Sequence, residues 1–233
     1  MNHPKASVQL PTDPEKCQEY VDAISNLYPS LGSQRVAFAI DGLKIHLEKA
    51  PTEYKQPWFY NGWTHGNYVS NLFVFAPDGT IVKMVLNEPG CMHDSMLASI
   101  GFIYPRLETV CHEFNVRTVA DSAFSCKDCD YLIQSAQNLD PNLPEEMYDL
   151  CMEATSLRQM AEWGMRGIQG SFPRVKDKII YEERGERLVM LQLIERLYNF
   201  RANTVGINQI KNVFMPNLEE ISDEALKKYY TWV

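Results

Sequence analysis

The chain has 233 residues, room for one large domain or for one domain and an appendage at roughly 150 residues per domain. Hydrophobic residues make up 45% and charged residues 22%, which excludes wholesale disorder, and no run of 18 apolar residues exists to cross a membrane. With 22 basic and 30 acidic residues the net charge is −8, a poor overall match for a polyanion.

The first ten residues lack an apolar core behind a basic start, which argues for a reducing compartment and six free thiols. Cys126 and Cys129 form a C-x-x-C pair with no second pair to complete a zinc site. Residues 1–34 read as a short helical lead-in: Asp13 caps, Pro14 suits a first turn, and Cys17, Val21, Ile24 and Leu27 recur at helical spacing. The next run, Arg35-Val-Ala-Phe-Ala-Ile-Asp41, is a buried strand ending on a carboxylate. Leu43, Ile45 and Leu47 then alternate with polar residues, so the strand either runs on or restarts after Gly42.

Residues 51–66 are aromatic and glycine-rich and read as a loop. Two apolar runs, 68–76 and 80–86, flank Pro77-Asp78-Gly79 and predict a hairpin. Asp94 is placed to cap a short helix over 95–107, and 116–120 is a further strand running directly into Asp121. The polar segment 122–153 reads as an insertion of loops and short helices. Leu157, Met160, Ala161, Gly164, Met165 and Ile168 mark a helix with one buried face, and Leu188, Leu191, Ile194 and Leu197 a second. Charge is unevenly spread: from Arg158 to Lys211 ten Lys and Arg face six Asp and Glu, so any nucleic-acid contact is expected there.

This order of elements defines an α/β class, with an antiparallel hairpin along one side of a mixed sheet. If the strands ending at Asp41 and Asp121 are parallel neighbours, both carboxylates emerge at one edge, where open α/β sheets bind ligands. Two such carboxylates repel, and a divalent cation relieves them. Glu162 falls at the border of its helix's apolar stripe, and Asp, Asp and Glu together offer hard oxygen ligands for Mg²⁺ or Mn²⁺. Plainer readings stay open. Arg158 and Arg166, four residues either side of Glu162, account for it as a surface ion pair; Asp41-Gly42 is also a turn and Asp121-Ser122 a helix cap.

Four stretches carry a family resemblance: Ala-Ile-Asp41-Gly, Glu88-Pro-Gly-Cys-Met-His-Asp94-Ser, Val-Ala-Asp121-Ser-Ala-Phe, and Arg158-Gln-Met-Ala-Glu162-Trp-Gly-Met-Arg-Gly-Ile-Gln-Gly-Ser-Phe172. In this order they resemble the DDE endonuclease domain of Harbinger-type transposases and the nucleases derived from them, over about 36–214. The resemblance implies an RNase H-like mixed sheet flanked by helices, with a loop and helix insertion before the C-terminal catalytic helix. That domain, 35–215, lies between the lead-in and an acidic tail, 216–233.

On this resemblance Asp41, Asp121 and Glu162 bind Mg²⁺ or Mn²⁺ and cut DNA, Arg158, Arg166 and Arg174 contact phosphates, and His93 and Asp94 are auxiliary. Capping is the simpler role for Asp94, and packing in the turn for His93. The family further implies DNA as partner, a nuclear location, and room for a separate DNA-binding helper protein. Against its pattern, only 40 residues precede Asp41, where relatives carry a longer region with a DNA-reading module, and the segment between Asp121 and Glu162 is acidic. The second expectation is therefore a truncated or domesticated, catalytically silent scaffold binding DNA or protein. A thiol or acyl hydrolase finds no support, because G-x-S-x-G and P-loop patterns are absent and no cysteine sits in a catalytic motif.

Overall fold

Asp13 accepts a bond from the Lys16 amide at 2.7 Å and starts α1 (Pro14–Ser25) where its spacing predicts. The computed structural model describes residues 3–48, 56–124, 129–135, 143–179, 184–206 and 208–216. After a short α2 (Pro29–Ser33), the apolar run enters β1 (Val36–His46), which continues through Asp41-Gly42 without restarting. Within the stretch read as a loop, α3 (Gln56–Phe59) and the two-residue β2 (Tyr60–Asn61) form. β2 pairs with the first two residues of β3 (Gly66–Phe75), a hairpin too short to leave an alternating pattern. β3 and β4 (Ile81–Pro89) make the expected antiparallel hairpin, its turn closed by the Gly79 amide on the Ala76 carbonyl at 2.9 Å.

The helix expected over 95–107 is two helices, α4 (Asp94–Ile100) and α5 (Ile103–Phe114). They part at Phe102, whose φ of 55° is left-handed and cannot continue a helix. β5 (Arg117–Ala120) runs to Asp121, and β6 (Leu132–Gln134), inside the segment read as an insertion, pairs parallel with it. α6 (Glu145–Ser171) also begins in that segment and spans 27 residues. Its opening turns were hidden because the buried stripe starts only at Ala154, where the helix reaches the core. A 3-10 turn (Pro173–Val175), α7 (Arg184–Ala202) and a short α8 (Gln209–Phe214) follow. The acidic tail expected at the C-terminus lies, from residue 217 on, outside the described residues.

The strands run in the order β4-β3-β1-β5-β6, with β2 beside the start of β3. β3 is antiparallel to β1 and β4, whereas β5 is parallel to both β1 and β6. This is the mixed, curled sheet of an RNase H-like fold, with helices on both faces. Strand residues divide between two cores according to the face they point to. Phe38, Ile40, Leu72 and Val74 pack with α1, α4 and α5, and Ala39, Leu43, Phe73 and Phe75 with α6 and α7. A methyl group at Gly164 would lie 2.3 Å from the Phe75 ring, so the glycine allows α6 to lie directly on the sheet. Among the described residues, no helix is long and apolar enough to cross a membrane.

Cys17, Cys91, Cys111 and Cys151 are free thiols, but Cys129 is disulfide-bonded, which corrects the expectation of six free thiols. Compartment governs the average redox state of cysteines and not that of one held within reach of a second sulfur.

Candidate functional site

Parallel pairing sets Ile40 of β1 opposite Ala120 of β5, so the residues that follow, Asp41 midway along β1 and Asp121 just past β5, stand side by side at the rim where the parallel ladder ends. The neighbour relation that the sequence left conditional is thus met. Each aspartate spends one oxygen locally. Asp41 Oδ1 accepts the Gly42 amide at 2.7 Å, and Asp121 Oδ1 accepts the Ser122 hydroxyl at 2.9 Å and the Ala123 amide at 3.3 Å. The helix-cap reading of Asp121-Ser122 is corrected, since these bonds close a turn that no helix follows among the described residues, and the turn reading of Asp41-Gly42 is corrected because β1 runs through it. The other oxygen of each carboxylate stays available.

Arg158 takes both. Its Nη2 lies 2.7 Å from Asp121 Oδ2 and 3.7 Å from Asp41 Oδ2, bridging the two neighbouring strands from α6. Helical spacing predicts a partnership with Glu162; the guanidinium reaches the aspartates instead. The cause is tertiary: α6 packs across β1 and β5, and two partly buried carboxylates attract the guanidinium more strongly than one solvated glutamate. Arg158 Nε is buried and has no hydrogen-bond partner among the described residues, a cost that the bridge offsets.

Asp94 joins the rim from α4. It is the first residue of that helix, His93 occupies the capping position, and no side chain makes a capping bond, so the capping role expected of Asp94 is corrected. A methyl group at Gly42 would lie 2.9 Å from a carboxylate oxygen of Asp94, which places that carboxylate against β1 beside Asp41. Its position at the helix start gives the charge a favourable dipole without a local hydrogen bond. Burial pushes the pKa of Asp94 up, with Lys44 opposing and Asp121 adding to the rise. Burial likewise pushes Asp41 up to about 6; the Gly42 amide and Arg158 oppose this, and the charges of Asp121 and Asp94 reinforce it. The three aspartates therefore form one electrostatic group. His93 is exposed, and its charge acts on Asp94.

Glu162 lies one helical turn beyond Arg158, but its ion pair is with Arg166, at 3.6 Å and largely in solvent. The surface-pair alternative thus holds for Arg166 and fails for Arg158. Arg174 sits exposed on the 3-10 turn after α6, engaged in an interaction of its own. Among the described residues, no group of three or more His, Cys, Asp or Glu side chains is arranged to hold a metal ion. In this arrangement the carboxylates do not fit one. The gap between Asp41 and Asp121 already holds a guanidinium that supplies the positive charge, and Glu162 is paired elsewhere.

Lys44, three residues beyond Asp41 on β1, is the rim residue that sequence reasoning missed. Its signal was weak, a single lysine in the alternating stretch after Asp41. A mixed RNase H-like sheet that sets Asp41 of β1 beside Asp121 after β5, with α6 crossing both strands, is the fold of the DDE superfamily. The family model described as DDE superfamily endonuclease matches residues 40–198, more than half of the chain, and the chain belongs to that family. No curated protein and no solved structure matches it.

Proposed function

We propose that this chain is a transposase-derived domain acting as a DNA-binding scaffold, its acidic centre held closed by Arg158. The observation that carries the reading is the Arg158 guanidinium bridging Asp121 and Asp41 while Glu162 pairs with Arg166. A divalent ion entering that gap must displace a charge-assisted bond in a partly buried site. DNA is the partner favoured by ancestry and by the basic excess from Arg158 to Lys211, and a nuclear location follows from that partner.

Titrating Mn²⁺ calorimetrically into wild type, Asp41→Asn and Glu162→Gln tests the reading, together with plasmid nicking in Mn²⁺ and the binding of labelled duplex DNA. The scaffold reading expects the same absence of saturable Mn²⁺ binding in all three proteins, no nicking, and retained DNA binding.

One observation favours a second reading, a nuclease using Mg²⁺ or Mn²⁺. Asp41, Asp94 and Asp121 are close enough to act on one another's charge, an arrangement that costs stability unless cations serve it. Saturable Mn²⁺ binding lost in Asp41→Asn and Glu162→Gln, accompanied by nicking, would replace the scaffold with this enzyme.

A further inference from the structure

A cavity of about 220 Å³ opens between α6, the end of α7 and the start of α8, on the side of α6 that carries Glu162 and Arg166. Two guanidiniums, Arg166 and Arg201, line it, and among the described residues none that lines it is a carboxylate. In a chain of net charge −8 this is a local concentration of positive charge. The partners of both arginines are weak ones. Arg166 meets Glu162 only at 3.6 Å in an exposed pair, and Arg201 donates to the Ser171 hydroxyl, a neutral acceptor. Two guanidiniums repel unless an anion joins them, and planar forks of N–H donors match phosphate oxygens bidentately.

The remaining walls suit the rest of a nucleotide. Trp163 offers a flat indole face, and Ser171 and Tyr198 bring hydroxyl groups. Burial pushes the Tyr198 phenol up to about 12, so it remains an O–H donor at neutral pH. Gly167 leaves the floor open: a methyl group there would already touch the Tyr198 ring at 3.2 Å. Trp163 is half-buried, packed on the core along one side and lining the cleft with another, and an aromatic beside a basic cleft is a working part of sequence-tolerant nucleic-acid binding.

We propose that this cavity is a phosphate-binding subsite for a nucleotide unit, with Arg166 and Arg201 holding the phosphate and Trp163 stacking against the base or sugar. The proposal rests on the DNA-binding reading above and adds the place where the strand is gripped, two helical turns along α6 from Arg158. The phosphate comes either from a DNA strand or from a free nucleotide, and the two sources separate in the test.

Wild type, Arg166→Ala, Arg201→Gln and the control Arg106→Ala, which removes one charge on α5 across the sheet, are compared by fluorescence anisotropy with a labelled 20-base-pair duplex at several salt concentrations. Calorimetry with dAMP and with inorganic phosphate runs beside it, and thermal melts check folding. Each pocket variant is expected to weaken duplex binding about fivefold or more and to lower the salt slope by about one, with the control within twofold of wild type. Arg166 is exposed, so Arg166→Ala decides the matter even if Arg201→Gln fails to fold. Duplex binding that is unchanged in both folded variants overturns the subsite and leaves the scaffold reading standing. Arginine-dependent binding of dAMP without any duplex binding supports the subsite with a free nucleotide as its ligand and overturns the DNA reading. Wild type that binds neither duplex, dAMP nor phosphate overturns both.

Discussion

Arg158 Nη2 lies 2.7 Å from Asp121 and 3.7 Å from Asp41, so a single side chain of α6 carries the counter-charge for carboxylates on two neighbouring strands. Replacing it with methionine keeps much of the aliphatic stem but leaves two partly buried carboxylates facing each other, a cost of about 1–3 kcal/mol. In chelator, Arg158→Met is expected to melt several degrees below wild type. Added Mn²⁺ should then recover part of that loss in the variant and leave wild type unmoved. Scanning fluorimetry with and without EDTA reads both effects, and coincident melting curves in chelator would show that the bridge carries no stability.

Gly164 brings α6 onto β3. Because a methyl group there would stand 2.3 Å from the Phe75 ring, Gly164→Ala should gain nothing from its better helix propensity. Phe75 is fully buried and cannot swing away, so overpacking is expected to cost about 1–3 kcal/mol. The neighbouring Gly170, where nothing lies within 4 Å, is the internal comparison: Gly170→Ala should be neutral or slightly stabilising. Equal unfolding midpoints in urea for the two variants would contradict this account of how the helix packs.

The rim was legible in sequence where burial writes continuous apolar runs. β1 and β5 could be read because parallel strands covered on both faces leave such runs, and each runs directly into an aspartate. β6 could not, since two of its three residues are half-buried, the third is exposed, and they carry no period. The opening of α6 was lost for a related reason: Met147, Tyr148 and Met152 are exposed, so its apolar residues do not mark a face toward the core. The destination of Arg158 lies beyond any local pattern. Its spacing points to Glu162 at i+4, and only the crossing of α6 over the sheet decides for the aspartates. Asp94 shows the same limit, for its contact with Gly42 joins elements far apart along the chain.

Asn61 organises the aromatic turn after β2. Its amide donates to the Gly90 carbonyl at 2.9 Å, and its Oδ1 accepts from the Trp63 amide, the Thr64 amide and the Thr64 hydroxyl, each at 3.1 Å. Asn61→Ala removes all four bonds from a buried position and is expected to cost about 1–3 kcal/mol. Trp63, by contrast, is 91% exposed, so Trp63→Ala should change stability by no more than about 0.5 kcal/mol despite the size of the side chain. Urea denaturation of both variants checks the contrast, and a Trp63 effect as large as that of Asn61 would refute the assignment of the turn's stability to the amide.

Glu195 on α7 is fully buried, and neither of its carboxyl oxygens has a hydrogen-bond partner among the described residues. Burial pushes its pKa up from the ordinary 4.5 to about 8. In the unfolded chain the group ionises near its ordinary value, whereas in the folded chain it holds its proton until about pH 8. Its contribution to stability is therefore complete below about pH 4.5 and is lost as pH rises, by up to about 1.4 kcal/mol per pH unit, levelling off above about pH 8. Glu195→Gln keeps the shape and removes the titration. The variant should be more stable than wild type at pH 7, with the gap narrowing toward pH 5 and widening toward pH 8. Guanidinium denaturation of both proteins at pH 5, 6, 7 and 8 measures that gap directly. The difference between the two cancels the carboxylates they share, so a gap independent of pH would mean that Glu195 is already ionised in the fold.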